Sequence, residues 1–419
     1  MAYLARLIDS ELEADLEIFG AIVIEGPKWV GKTTTASRVS KSILRMYDST
    51  EGEKNVELAK LNPSVLLEGS VPRMIDEWQD APEIWDAVRV AVDDRQEPGQ
   101  FILTGSVVVD RSKIKHSGAG RIYRLRMGTM SLFESGDSTG AVSLKRLFEE
   151  DNTIGAASDK TLEDIARIIV RGGWPSVVGK SDVAAMKLVK GYCDTIVNTE
   201  IISGSERRRD SKKIRAVMRS LSRFISAPLS KVTIIQDMGS SQSNMSENTL
   251  DSYLEFLRSL FVLEELEAWE PDLRSKTPIR VANTVHFCDP AIAAHFLSAS
   301  PADLLRDVNT FGLLFESLVI RDLRTYVQAL DGDIFHYRDK NGLEADAIIH
   351  LHDGRWAAIE VKLGSHWIDD AAANLLKLRD KVNTDSMGEP AFLAVVTATN
   401  YAYTREDGVH VIPITLLGP

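Results

Sequence analysis

Residues 26–33 constrain this chain more than any other stretch. Gly26-Pro27-Lys28-Trp29-Val30-Gly31-Lys32-Thr33 places a glycine, four residues and then Gly-Lys-Thr in a row, the spacing of a loop that wraps phosphates. The apolar run just before it, AIVIEG at 21–26, reads as a buried parallel strand, and a helical pattern follows it. A strand that turns through such a loop into a helix gathers backbone N–H groups and the positive helix end around one point. Lys32 supplies a charge toward the outer phosphates, and the Thr33 hydroxyl suits Mg²⁺. The expected cradle runs from Gly26 through Pro27, Lys28, Trp29, Val30, Gly31, Lys32 and Thr33 to Thr34. Such a start demands an α/β fold.

A phosphate loop needs a second, acidic strand end. VPRMIDEWQ (71–79) and QFILTGS (100–106) are strand-like, with APEIWDAVRVAVDD apolar at helical spacing between them. Asp76 is the candidate carboxylate on the Mg²⁺ side, and Glu77 the candidate base for an attacking water. Thr104 and Ser106, at the end of the third run, are placed either to sense a terminal phosphate or simply to close a strand. Arg121, in Ala119-Gly120-Arg121, is the first candidate for an arginine acting on the transition state, from its own subunit or a neighbour's. Arg171, before Gly172-Gly173, is the second. A plain surface arginine is the competing reading for each.

Composition narrows the setting. A chain of 419 residues allows two or three domains. Lys and Arg number 49 against 61 Asp and Glu, a net charge of −12, which argues against coating nucleic acid by bulk charge but leaves room for a local basic patch. Cys193 and Cys288 form no redox or metal pair, which points to a reducing, cytoplasmic setting. The N-terminal MAYLARLIDSELEADLEIFG reads as an amphipathic helix, not a secretory signal. No apolar run reaches the roughly 18 residues of a membrane span. Three regions emerge: α/β over 1–150, helical over 151–275, and α/β again over 276–419. In the middle, KVTIIQDM, a polar break at 238–244 and TLDSYLEFLRSLFVLEELEAW fit a winged-helix order.

The last region holds a second constellation. EADAIIHL and WAAIEVKL are strand-like and joined by His352-Asp353-Gly354-Arg355. Alternation puts Glu360 and Lys362 on one face. A two-residue turn would pair 346 with 361 and turn Asp346 away. A three-residue loop with Gly354 left-handed pairs 351 with 355 and 346 with 360, and assembles a site; this is the register expected. Glu316 lies at helical spacing with Val319, Ile320 and Leu323, where a carboxylate is costly unless paired or metal-bound. Glu316, Asp346 and Glu360 are therefore candidate Mg²⁺ ligands, and Lys362 a candidate to steady the nucleophile in phosphodiester cleavage. A hairpin with a solvated acidic edge is the bland alternative.

The densest basic run is Arg207-Arg208-Arg209 with Lys212, Lys213 and Arg215, able to neutralise several phosphates or simply to form a solvated face. The helix TLDSYLEFLRSLF carries Asp251 and Glu255 with Arg258 alone positive, which argues against base reading.

GPKWVGKTT, IDEWQ, FILTGS, GRIYRLRMGTMSLFE and GGWPS, in that order, resemble the bacterial and archaeal AAA-type ATPases fused to a restriction-endonuclease-like domain. Trp29 replaces a loop residue that is usually smaller or polar, and GSV replaces GSS; neither change removes a ligand. Glu316, Asp346, Glu360 and Lys362, within FGLLFESLVIRDL, GLEADAII and AIEVK, are similar to the PD-(D/E)xK nuclease core. The resemblance implies a P-loop AAA+ ATPase domain, a winged-helix-like middle and a C-terminal PD-(D/E)xK domain. It implies ATP hydrolysis with ATP and Mg²⁺ as cofactors; the main expectation is that the nucleotide state controls the C-terminal domain, acting on DNA, with a second copy or another protein as further candidate partners. The rival expectation is an ATP-driven switch that recruits protein or nucleic acid and cuts nothing; a third is an ATP-binding module with negligible turnover.

Overall fold

The computed structural model describes all residues except 1–2, 49, 109–116, 150–153, 199–209, 240–244, 272–281 and 383–386. The chain divides into two compact units, Met1–Thr129 with Phe256–Val262, and Met130–Glu255 with Leu263–Pro419. Among the described residues, no helix is long and apolar enough to cross a membrane.

The first unit contains α1 (Ile8–Leu16), β1 (Ala21–Glu25), α2 (Lys32–Val39), β2 (Ser42–Arg45), α3 (Gly52–Leu61), β3 (Arg73–Asp76), α4 (Glu83–Arg95), β4 (Phe101–Gly105) and β5 (Ile122–Arg126). They form a parallel sheet of order β2-β3-β4-β1-β5. Two of these strands are new relative to the sequence reading. In β2 exposed and half-buried residues alternate, and β5 exposes three of its five, so neither shows the apolar run of a central strand; both are edges. The expected N-terminal helix is shorter too, beginning only at Ile8. Trp78, Ile84, Trp85 and Val88 pack on Val23, Ile75 and Leu103 to form the core, with the Trp78 and Trp85 rings 5.0 Å apart. Because every strand points the same way, Glu25, Asp76 and Gly105 end on one edge of the sheet.

The second unit begins with α5 (Leu132–Ser135), β6 (Val142–Ser143), α6 (Leu144–Phe148) and β7 (Ala156–Ala157). Its helical part holds α7 (Leu162–Arg171), α8 (Asp182–Asn198), α9 (Ser211–Arg223), α10 (Lys231–Met238) and α11 (Glu247–Ser259, of which residues up to 255 belong here). The antiparallel pair β8 (Leu263–Leu266) and β9 (Thr284–Phe287) comes next, then α12 (Pro290–Leu297), α13 (Pro301–Arg306) and α14 (Val308–Gln328). The remainder is β10 (Gly332–Arg338), β11 (Glu344–Leu351), β12 (Trp356–Lys362), α15 (Ile368–Lys381), β13 (Phe392–Thr397), β14 (Tyr401–Thr404), β15 (His410–Pro413) and β16 (Leu417–Gly418). A mixed sheet of order β10-β11-β12-β13-β15-β14-β7 runs through it, and α14 and α15 pack on its β10–β13 side.

A buried charge cluster ties this unit together. Arg321 of α14 is 6% exposed; it donates to Asp322 Oδ1 at 2.7 and 2.9 Å and to Asp289 Oδ2 at 3.1 Å. Asp289 also accepts from the backbone of Gly173 and Ala291, and Asp322 from that of Leu132. Four segments far apart in sequence thus share one ion cluster. Gly173 is required there: a Cβ would stand 2.3 Å from the Met130 carbonyl oxygen.

Candidate active sites

The loop between β1 and α2 closes on itself through Lys32. Its ammonium, buried, donates to the carbonyls of Gly26 at 2.8 Å and Pro27 at 2.7 Å. Burial lowers the Lys32 pKa to about 8, against the opposing pull of Glu77 and Asp76. Gly31 adopts φ 106°, the left-handed turn that starts α2. Gly26 is needed for a different reason: a Cβ there would lie 2.0 Å from the Met127 carbonyl oxygen, where the chain leaves β5. Lys28, Trp29 and Thr34 are exposed, and Trp29 holds φ 68°.

Asp76 is fully buried at the end of β3, two strands from β1. Thr33 Oγ1 donates to its Oδ1 at 2.9 Å and Tyr47 OH to its Oδ2 at 2.8 Å, while Thr104 on the intervening β4 also donates to Oδ1. A hydroxyl and a carboxylate oxygen side by side are the hard oxygen donors that Mg²⁺ takes, so this donor set fits the ion. Glu77 leaves the strand at φ 56° and accepts from Ser106 Oγ at 3.0 Å and from Gln79. Thr104 and Ser106 therefore brace the acidic pair. Sequence reasoning missed Tyr47 and Gln79. Gln79 stood in the quoted IDEWQ motif, whereas nothing near Tyr47 announces a site.

In the second unit, β11 and β12 pair as Ala347↔Ile359 through His350↔Trp356, which continues as 346 opposite 360. His352, Asp353 and Gly354 make the connection, Gly354 at φ 93°, and Leu351 bonds Arg355 across its mouth. This is the three-residue register. On the other side of β11 the pairing with β10 slips between Phe335↔Ile348 and Tyr337↔Ala345, a bulge at Asp346 and Ala347. Asp346 Oδ2 accepts from the Val361 backbone N–H at 2.7 Å. Lys362 Nζ stands 2.5 Å from Glu360 Oε2 and 3.5 Å from Asp346 Oδ2. Glu360 is buried, and its Oε1 has no hydrogen-bond partner among the described residues. Burial and then the Asp346 charge push the carboxyls of both Glu360 and Glu316 upward. Burial works to lower the Lys362 pKa, but Asp346 and Glu360 outweigh it and hold it up.

Among the described residues, no group of three or more His, Cys, Asp or Glu is arranged to hold a metal ion. The Lys362 ammonium lies against the Glu360 and Asp346 carboxylates.

Residues 19–135 match the family described as AAA domain. The N-terminal segment is thus similar to a P-loop domain of the AAA type. Residues 162–303 and 311–417 match two domains of unknown function, DUF8612 and DUF4143, and these carry no activity with them. Two uncharacterized proteins, from Mycobacterium bovis and Mycobacterium tuberculosis, are each 22% identical over 345 residues, 81% of this chain and 70% of theirs. Among solved structures, a Walker-type ATPase of Pyrococcus abyssi is 16% identical with a TM-score of 0.44, covering 70% of this chain and 96% of that one. A RuvB variant of Thermotoga maritima is 15% identical with a TM-score of 0.30, covering 70% and 94%.

The first unit does not bring every expected residue to its loop. Arg121 precedes Ile122, the partner of Ala21 at the start of β1, whereas the loop follows the other end of that strand. Four residues of strand, roughly 13 Å, separate the two ends. Arg121 instead pairs with Asp93 at 2.8 Å and is about half exposed. Arg171 is held in the second unit by Asp137 at 2.6 Å. Arg6 went unsuspected: buried, it donates to the Val30 carbonyl at 2.8 Å and to that of Gly128 at 3.0 Å, bracing the loop from outside. Arg207, Arg208 and Arg209 lie outside the described residues.

Proposed function

We propose that the AAA domain binds and hydrolyses ATP. One observation carries this reading most: Asp76 reaches across β4 to meet Thr33, the last residue of the phosphate loop, at 2.9 Å. Mg²⁺, when bound, would be held by Thr33 and Asp76 and would neutralise charge on the outer phosphates. Backbone N–H groups of 26–34 and the Lys32 ammonium would bind those phosphates in place of the loop carbonyls Lys32 now contacts. Glu77, fixed by Ser106 and Gln79, would orient the attacking water and take its proton as the bond to the terminal phosphorus forms and ADP leaves.

Phosphate release from ATP tests this reading. Wild type should turn over, Lys32→Ala should lose both binding and turnover, and Glu77→Gln should hold ATP without hydrolysing it. Turnover at the wild-type rate in Lys32→Ala would sink the reading.

Arg121, far from the loop of its own chain and partly exposed, would act in a second copy. Mixing Arg121→Ala with Lys32→Ala should then restore part of the turnover each lacks alone; no restoration removes that role.

A second reading concerns Glu316, Asp346, Glu360 and Lys362: metal-dependent phosphodiester hydrolysis on DNA, under control of the nucleotide cycle. The unpartnered, buried Glu360 Oε1 favours it. An ion would have to displace Lys362 from the carboxylates. The rival is a switch that recruits protein or nucleic acid through this fold and cuts nothing. Linear, circular and single-stranded DNA, and RNA, incubated with Mg²⁺ or Mn²⁺ and with or without ATP, separate the two. Cleavage lost in Asp346→Ala supports hydrolysis, and intact substrates in every arm support the switch.

A further inference from the structure

The helix α9 carries more charge than its packing needs. Its buried stripe, Ile214, Val217, Met218 and Leu221, packs on α8, α10 and α12. On the other side Lys212, Arg215, Arg219 and Arg223 recur at spacings of three and four and are all exposed. The twelve residues from Lys212 to Arg223 carry this row over about 16 Å of helix. It walls a cleft of about 580 Å³, which Asn198 and Ser220 also line.

Two of the cations are only partly compensated. Arg215 meets Asp194 at 3.0 Å and Arg223 meets Asp237 at 2.6 Å, with all four side chains partly solvated. Lys212 and Arg219 make no ion pair among the described residues. Ser220 gives a separate indication: it is 1% exposed, and its Oγ has no hydrogen-bond partner among the described residues. A buried hydroxyl without a partner is unusual in a packed helix face.

We propose that this cleft binds the phosphate backbone of nucleic acid without reading its sequence. A single phosphate calls for donors that converge, whereas this row is linear and suits successive phosphates. Ser220 and Asn198 supply the neutral donors that accompany guanidinium groups at phosphate oxygens. Sequence reading is disfavoured because α11, the helix that follows α10, presents Asp251, already paired with Lys231 at 2.7 Å. The chain's net charge of −12 repels a polyanion elsewhere and confines binding to this row. The inference deepens the reading that the chain acts on DNA. It is tested by binding, so a failure to cleave leaves it intact.

The test is fluorescence anisotropy of the full chain with labelled 24-base-pair duplexes of two unrelated sequences, between 50 and 200 mM KCl. Four backbone contacts give a salt slope near −3.6, or about a 150-fold loss of affinity across that range, for both sequences. Lys212→Ala with Arg219→Ala should drop the slope to about −1.8, or about a 12-fold loss. The charge-keeping pair Lys212→Arg with Arg219→Lys should bind as wild type, which guards against a misfolded variant. Wild-type protein that fails to bind at 50 mM, or an alanine pair with an unchanged slope, overturns the proposal. So does inorganic phosphate that displaces the duplex at matched ionic strength, since the cleft would then serve a single phosphate.

Discussion

The carboxylate of Asp346 takes the Val361 backbone N–H at 2.7 Å, one step past the last backbone pair between β11 and β12. A side chain thus continues a ladder that the backbone has given up, and it does so beside a bulge. The same oxygen faces Lys362, so one residue both closes the strand pair and sets the charge of the site.

Asp346→Ala should therefore destabilise the second unit even if no substrate is ever found. It leaves a partly buried N–H without an acceptor and removes a counter-charge from Lys362, a loss of about 1–3 kcal/mol. Asp346→Asn keeps an acceptor and should lose less. Urea unfolding of both variants measures the difference.

Thr104 is a positioning residue for Asp76, to which it donates. Thr104→Val keeps the shape and removes the hydroxyl. Turnover of ATP should fall about tenfold, the equivalent of one modest hydrogen bond, with KM little changed. A drop in KM-dependent binding instead would place Thr104 at the nucleotide.

Arg321→Ala should be among the most damaging substitutions. It strands Asp289 and Asp322, both fully buried, and removing one partner of a buried ion cluster costs about 3–5 kcal/mol. Arg321→Lys cannot reproduce three guanidinium bonds and should recover only part of this. Thermal unfolding followed by circular dichroism reads the order.

Acid should destabilise the second unit through His286. Burial, then the nearby Arg324 charge, lowers its pKa to about 3, against 6.5 for a free histidine. Between those values the unfolded chain holds a proton that the folded chain refuses, so stability is full above pH 6.5 and falls as pH drops toward 3. The slope for one such group approaches about 1.4 kcal/mol per pH unit. His286→Gln should flatten the pH dependence of the urea midpoint over this window; an unchanged profile would assign the acid response to other groups.

The local spacing of residues at both candidate sites was legible in the sequence because it depends on neighbours in the chain. The loop at 26–34 is a contiguous motif, and the alternation of 360 and 362 follows from the strand period. Asp353-Gly354 suits either a two-residue or a three-residue turn, and the structure has the three-residue connection. The edge strands β2 and β5 were not legible, because an edge needs no apolar run.

Contacts between distant segments were decided only by tertiary structure. The order β2-β3-β4-β1-β5 puts Asp76 two strands from the loop and makes Thr104 its support, and no local spacing encodes that order. Strand direction sends Arg121 to the far end of the sheet despite its position just before β5. Lys362 rests on Glu360 and Asp346 because a buried carboxylate needs a counter-charge from whatever cation the fold brings near. Arg321 likewise joins Gly173, Asp289 and Leu132 across nearly two hundred residues. Sequence spacing determines which groups one strand or helix presents together; the burial of charge determines which of them meet.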